Sequence, residues 1–170
     1  VSIQSERLTF RPYTEEDFDF LMALLADPEV VKFIGSGKVR DEQGGRDFLS
    51  WIYNTYKAGR NMGLQVLVRK EDSVPIGHAG LVPQKIDGEN ELEIGYWIAR
   101  RHWGEGYATE AAASLLDHGR NALGRHRFIS LIQPENTASE KVAERIGMHL
   151  EKVIVLGEKS VNVFSIEQEK

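Results

Sequence analysis

Leu8 and Phe10 stand between Arg7, Thr9 and Arg11, the period-two alternation of a half-buried strand, and Pro12 ends it. Thr14, with Asp17 three residues on, has capping-box spacing, and Phe18, Leu21, Met22 and Leu25 follow at helical intervals until Asp27-Pro28 closes the helix. Phe48, Ile52 and Tyr56, four apart, predict a second helix from about Asp41 to Ala58, with Gly59 as its stop. The period then shortens. Leu64–Arg69 and Ile76–Val82 read as strands joined by Glu71-Asp72-Ser73, and a longer strand, Glu91–Ala99, follows the turn at Asp87-Gly88. Leu92, Ile94, Tyr96 and Ile98 share one face of that strand, with Glu93, Gly95 and Trp97 on the other.

Ala108, Ala112, Leu115 and Leu116 mark a helix, Phe128–Ile132 a short apolar strand, and Thr137–Ile146 a helix stopped by Gly147. A hairpin, Leu150–Leu156 with Val161–Ile166, turns at Gly157-Glu158. Strands in the middle followed by strand–helix–strand–helix predict a mixed α/β sheet with helices on both faces. No repeat, linker or compositional break divides the chain, so residues 1–170 are expected to form one domain.

The 170 residues suffice for a full core, and 41% hydrophobic with 28% charged residues excludes a disordered or low-complexity chain. Twenty-one basic against 26 acidic residues give a net charge of −5, which disfavours direct nucleic-acid binding through a basic face. No apolar run approaches the ~18 residues of a membrane span, and V-S-I-Q-S-E-R has no signal-peptide core; no membrane association and a cytoplasmic location are expected. With no cysteine there is no disulfide, no thiolate metal site and no cysteine nucleophile. His102, His118, His126, His149 and Glu105 have no metal-ligand spacing, so no metal is expected.

The candidate chemistry lies in Arg101-His102-Trp103-Gly104-Glu105-Gly106-Tyr107-Ala108-Thr109, between a strand and a helix. Two glycines remove Cβ atoms where a ligand approaches the backbone, and the first helix amides lack intrahelical acceptors at the positive end of the macrodipole. That combination cradles phosphate; a tight turn that merely needs glycine is the plain alternative. A Walker loop requires a lysine that is missing here. A dinucleotide fingerprint requires Gly or Ala where Thr109 stands, although Glu135 follows the next strand as a ribose carboxylate does.

The remaining pattern, [QR]-x-x-G-x-[GA], fits Arg101 to Gly106, and here the chain resembles the GNAT superfamily of acetyl-CoA-dependent N-acetyltransferases. It is most similar to the branch containing the ribosomal-protein N-terminal (alanine) acetyltransferases. S-E-R-L-T-F-R (Ser5–Arg11), D-P-E-V-V (Asp27–Val31), E-I-G-Y-W-I (Glu93–Ile98) and N-T-A-S-E-K-V-A-E-R-I-G-M (Asn136–Met148) carry the likeness in order along nearly the whole chain. The resemblance implies a GNAT fold: a splayed, mixed, mostly antiparallel sheet of about seven strands with helices on both faces. It implies that acetyl-CoA enters between the strand ending at Ala99 and the strand Phe128–Ile132. Backbone groups of Trp97, Ile98 and Ala99 are then expected to bond the pantetheine as an added strand does. The pyrophosphate is expected on the amides from Gly104 through Glu105, Gly106, Tyr107 and Ala108 to Thr109, with Arg101, Trp103 and Asn136 also at the cofactor. Without the likeness, Asn136 reads as a helix cap.

Acetyl transfer needs a base near the amine and a proton donor near the departing thiolate. Glu93 is the candidate base, since it shares a strand face with Gly95, whose missing side chain leaves room for an acceptor; an ordinary exposed carboxylate is the plain reading. His78 is the rival base, or a structural histidine. Many relatives carry a tyrosine acid seven residues after the asparagine, where this chain has Ala143. Ser139 is the hydroxyl left near the expected sulfur, as acid or as binding group. Trp51, Tyr53 and Tyr56 are expected to pack or to line an acceptor groove. The function expected is direct transfer of acetyl from acetyl-CoA to a primary amine, a small molecule or a protein N-terminus, by a monomer or homodimer. The alternatives are a non-catalytic acyl-CoA-binding module and a dinucleotide-binding fragment.

Overall fold

Residues 2–168 are described by a computed structural model. Its strands are β1 (Leu8–Pro12), β2 (Gly63–Arg69), β3 (Pro75–Ile86), β4 (Glu89–Ile98), β5 (Arg127–Ile132), β6 (His149–Leu156) and β7 (Lys159–Glu167). They form one sheet in the order β1-β2-β3-β4-β5-β7-β6, antiparallel except where β4 meets β5. The helices are α1 (Phe18–Leu25), α2 (Pro28–Val31), α3 (Glu42–Thr55), α4 (Tyr107–Asn121) and α5 (Thr137–Arg145). The mixed, mostly antiparallel seven-stranded sheet that the resemblance implied is thus present.

Strand alternation sorts the core into two layers. Leu92, Ile94 and Ile98 of β4 pack with Ala111, Ala112 and Leu115 of α4 and Val142 and Ala143 of α5. On the opposite face, Leu64, Val66 and Val82 pack with Leu21 and Leu25 of α1 and Phe48, Leu49 and Ile52 of α3, and half-buried Trp97 lies against them. Trp51 is 40% exposed, whereas the hydroxyls of Tyr53 and Tyr56 donate to Glu15 and to the Leu64 carbonyl at 2.8 and 2.5 Å. Tyr56 pins the end of α3 to β2, and Tyr53 ties α3 to the turn that leads into α1.

Two departures from the sequence reading matter for the site. Asp27-Pro28 ends α1 but also starts α2: the Asp27 carboxylate caps the Glu29 N–H, and proline fills a first-turn position where no N–H is needed. The third strand runs on to Ile86 because Gln84-Lys85 continues the ladder with Asn90 and Glu91 of β4.

β4 and β5 run parallel and, among the described residues, share one register pair, Glu93 with Ile129. Arg127 laces the closed end, bonding Glu91 of β4 at 2.8 and 2.9 Å and Glu151 of β6 at 2.8 and 3.0 Å. Beyond the register pair, two side chains bridge the widening gap: the Ser130 hydroxyl donates to the Ile94 carbonyl at 2.9 Å, and the Leu131 N–H donates to the Glu93 carboxylate at 3.3 Å. Past these the strands part.

Candidate active site

The fork opens into a cavity of about 820 Å³. Glu93, Trp97 and Ile98 line it from β4, with Trp103, Gly104, Gly106, Tyr107, Ala108 and Thr109 from the loop and first turn of α4. Asn136 and Ser139 line it from α5. Of the residues singled out by sequence, Ala99, Arg101 and Glu105 stand outside that lining. The Ala99 N–H donates to Ile76 of β3 at 2.8 Å, so it faces away from the fork. Backbone direction alternates along a strand, and the even positions face the gap: Ser130 reaches the Ile94 carbonyl, and the Trp103 indole N–H donates to the Ile98 carbonyl at 2.7 Å. Tyr96, lying between them, shares that open edge.

The loop after β4 is shaped by backbone that only glycine adopts freely. Gly104 and Gly106 have φ of +80° and +81°, the left-handed region, and no atom lies within 4 Å of where a Gly104 Cβ would stand. Gly106 is also the N-cap of α4, so the first amides of α4 face the cavity mouth. The helix end is held by the opening motif of the chain. Glu110 accepts from the Ser5 hydroxyl at 2.5 Å, the Arg7 N–H at 2.8 Å and Arg7 Nε at 2.6 Å, while the Arg7 guanidinium lies 4.3 Å above the Tyr107 ring. The cradle fits a pyrophosphate: fixed donors, a positive helix end and open space at the glycine.

On the α1–α3 side of the fork, Glu93 accepts from Gln84 Nε2 at 2.9 Å on one oxygen and from Leu131 on the other. Burial pushes its carboxyl above the usual glutamate range, and these two hydrogen bonds pull it partly back. Gly95 beside it is open on the same face; a Cβ there would touch only Leu64, at 3.8 Å. His78, the rival base, is fully buried. Tyr13 Oη lies 2.6 Å from its Nδ1, Trp97 lies tilted against the ring at 4.6 Å, Phe48 stacks on it at 6.1 Å, and Nε2 has no partner. Burial lowers its pKa to about 3, so the ring is neutral and enclosed; His78 itself does not line the cavity and is separated from it by Trp97.

Ser139 follows from the cap of α5: the Asn136 carboxamide accepts from the Ser139 N–H at 3.2 Å, the plain role its sequence position suggested. Asn136 also lines the cavity. The Tyr96 hydroxyl, which sequence patterning placed only among core positions, lies 3.0 Å from both the Ser139 carbonyl and its Oγ. A segment containing α2 arches over the mouth. Asp27 binds Arg100 at 2.5 and 3.0 Å, and the Gly35 carbonyl accepts from Gln133 Nε2 at 2.9 Å. Glu29, Phe33 and Ile34 of this strap line the cavity. Among the described residues no group of three or more His, Asp or Glu side chains is placed to hold a metal ion, and no helix is long and apolar enough to cross a membrane.

Known proteins share this architecture. A family model described as "Acetyltransferase (GNAT) domain" matches residues 7–149. The chain is 37% identical to YkkB of Bacillus subtilis over 161 residues, covering 94% of this chain and 92% of that protein. It is 34% identical to the N-acetyltransferase p20 of Bacillus licheniformis over 154 residues, covering 90% and 85%. An acetyltransferase structure from Agrobacterium tumefaciens superposes with a TM-score of 0.83 at 27% identity over 99% and 95% of the two chains. Ribosomal-protein acetyltransferases stand among the structures of the same fold: RimL superposes with a TM-score of 0.79 at 18% identity over 98% of each chain, a likeness of fold alone.

Proposed function

Starting from a chain that belongs to the GNAT acetyltransferase family, matched over residues 7–149, we propose that it moves acetyl from acetyl-CoA to a primary amine by direct attack within a ternary complex. The carrying observation is that a left-handed glycine turn at a helix N-terminus, an open strand edge and a burial-raised carboxylate line one cleft at the β4–β5 fork. In this reading the pyrophosphate sits on the Gly104–Gly106 turn and the first amides of α4. The pantetheine arm runs along the edge that carries Ile98 and Tyr96, and the thioester lies at the base of the fork, where Ser130 closes it.

Glu93 takes the surplus proton as the amine nitrogen attacks the acetyl carbon. The C–N bond forms, the C–S bond breaks, and sulfur leaves with the electron pair. A carboxyl raised by burial serves this purpose better than an exposed one, because its pKa lies nearer the working pH. The absence of cysteine supports direct transfer over a cysteinyl acyl-enzyme. The acceptor passes under the strap to Gly95 and Glu93, and both a small amine and a protein N-terminus present the required group.

The test is release of free CoA thiol when acetyl-CoA is mixed with a panel of amines and N-terminal peptides, comparing the wild type with Glu93→Gln. Loss of activity by about 10²–10⁴-fold near neutral pH, partly rescued at high pH where the amine is already neutral, is expected. A variant with wild-type rates and an unchanged acidic limb would place the base elsewhere.

A further inference from the structure

We infer that Tyr96 is a positioning residue for the leaving group: its phenol holds Ser139 so that the serine hydroxyl donates to the thiolate of departing CoA. The inference rests on the acetyl-transfer reading above. With pyrophosphate at the α4 end and Ser130 closing the fork, the sulfur lies at the stretch of the cleft lined by Tyr96 and Ser139. Ala143 of α5 is fully buried in the core, and α5 brings no phenol to the cleft. The strand supplies a phenol instead, from the opposite wall.

The donor arithmetic sets the arrangement. A phenol has one hydrogen and accepts through its oxygen, and here its oxygen is 3.0 Å from both the carbonyl and the hydroxyl of Ser139. At rest the phenol hydrogen donates to the Ser139 carbonyl, and the serine hydrogen rests on the phenol oxygen. As charge develops on sulfur, the serine hydrogen turns to it and the phenol hydrogen turns to Ser139 Oγ. Both are hydrogen-bond rearrangements. No covalent proton leaves Tyr96, and the thiolate takes its proton from water on release. Burial pushes the Tyr96 hydroxyl up to about 12, with the Ser139 bond opposing and Glu93 adding, so the phenol stays a donor throughout the working range. Serine alone is a poor acid; a serine that itself accepts a hydrogen bond is a better donor.

The experiment titrates the thiol of bound CoA by thiolate absorbance, which needs no acceptor, alongside turnover with acetyl-CoA and an amine. Tyr96→Phe keeps the ring and its packing. Expected are a rise in the bound thiol's pKa, equivalent to about a tenfold smaller ionisation constant, a kcat about tenfold lower, and CoA affinity within twofold of wild type. Tyr96→Phe combined with Ser139→Ala should be no worse than Ser139→Ala alone, because one acts through the other. Ser139→Thr, which keeps the hydroxyl, should retain most of the rate. An unchanged thiol pKa in Tyr96→Phe, or losses that simply multiply in the double variant, would overturn the inference. A wild type that binds CoA with a depressed thiol pKa yet acetylates no amine would overturn the proposed function and, with it, the leaving-group role, whereas active transfer with an unchanged thiol pKa in Tyr96→Phe would overturn this inference alone; a wild type that does not bind CoA overturns both.

Discussion

His78 should make the protein acid-labile through a single buried proton site. The folded ring has a pKa of about 3 because burial disfavours the imidazolium, whereas an unfolded histidine titrates near 6.5. The folded pKa is depressed, so the stability this histidine contributes is complete above pH 6.5 and is lost as pH falls toward 3, where the unfolded chain binds the extra proton. Between pH 7 and 4.5 the two values give a loss of about 2.5 kcal/mol, approaching 1.4 kcal/mol per unit below pH 6. His78→Gln keeps an acceptor for Tyr13 and removes the titration. Denaturant unfolding of both proteins across that range should show their free-energy difference narrowing or reversing by about that amount, while shared carboxylate effects cancel. Parallel curves would refute the assignment of a neutral, enclosed imidazole and reopen His78 as a base.

Gly106→Leu should abolish CoA binding in a folded protein, because leucine resists φ of +81° and its side chain crowds the cradle; Gly88→Leu, at φ +80° in the β3–β4 turn, bears the same backbone cost and should bind CoA normally by calorimetry. Gln133→Ala and Arg100→Ala each untie one end of the strap and should raise the acceptor KM several-fold while leaving acetyl-CoA affinity within twofold; equal losses for both substrates would count against the strap as an acceptor wall.

The elements were legible because their faces are regular. Leu92, Ile94 and Ile98 alternate as a strand under a helix layer must, and α4 announces itself by Ala111, Ala112 and Leu115 packed against them. The glycine turn was legible because Gly104 and Gly106 are needed for their backbone angles. The motifs quoted from the chain's start proved to do distant work: Ser5 and Arg7 hold the first turn of α4 through Glu110, and Asp27 holds Arg100 just beyond β4. Partners 73 to 105 positions apart leave no periodic trace, so the strap and the helix clamp were invisible to pattern. Tyr96 was hidden for a different reason. Its face alternates with aliphatic residues, and a hydroxyl at the end of a core ring changes no periodicity; only the 3.0 Å approach to Ser139 reveals it.

Glu93 performs a structural and a chemical task at one point, and the two can be separated. Its carboxylate accepts from the Leu131 N–H, a donor left over where the parallel ladder stops, and from Gln84. A glutamine there offers one oxygen and one NH2 group. The oxygen can keep Leu131, and Gln84 can turn its carboxamide to accept from the new NH2, so both bonds survive without the charge. The folded pKa of Glu93 is raised, so its ionisation favours unfolding: the penalty is absent below the unfolded value near 4.3 and grows as pH rises toward the folded pKa. Glu93→Gln should therefore gain stability relative to wild type on going from pH 4 to pH 8, while losing turnover. Unfolding curves at the two pH values, set beside thiol-release rates, measure both. A variant that loses stability relative to wild type at pH 8 would show the carboxylate to be chiefly a structural acceptor, whereas gain of stability with loss of rate is what a charge kept in a costly place for catalysis must give.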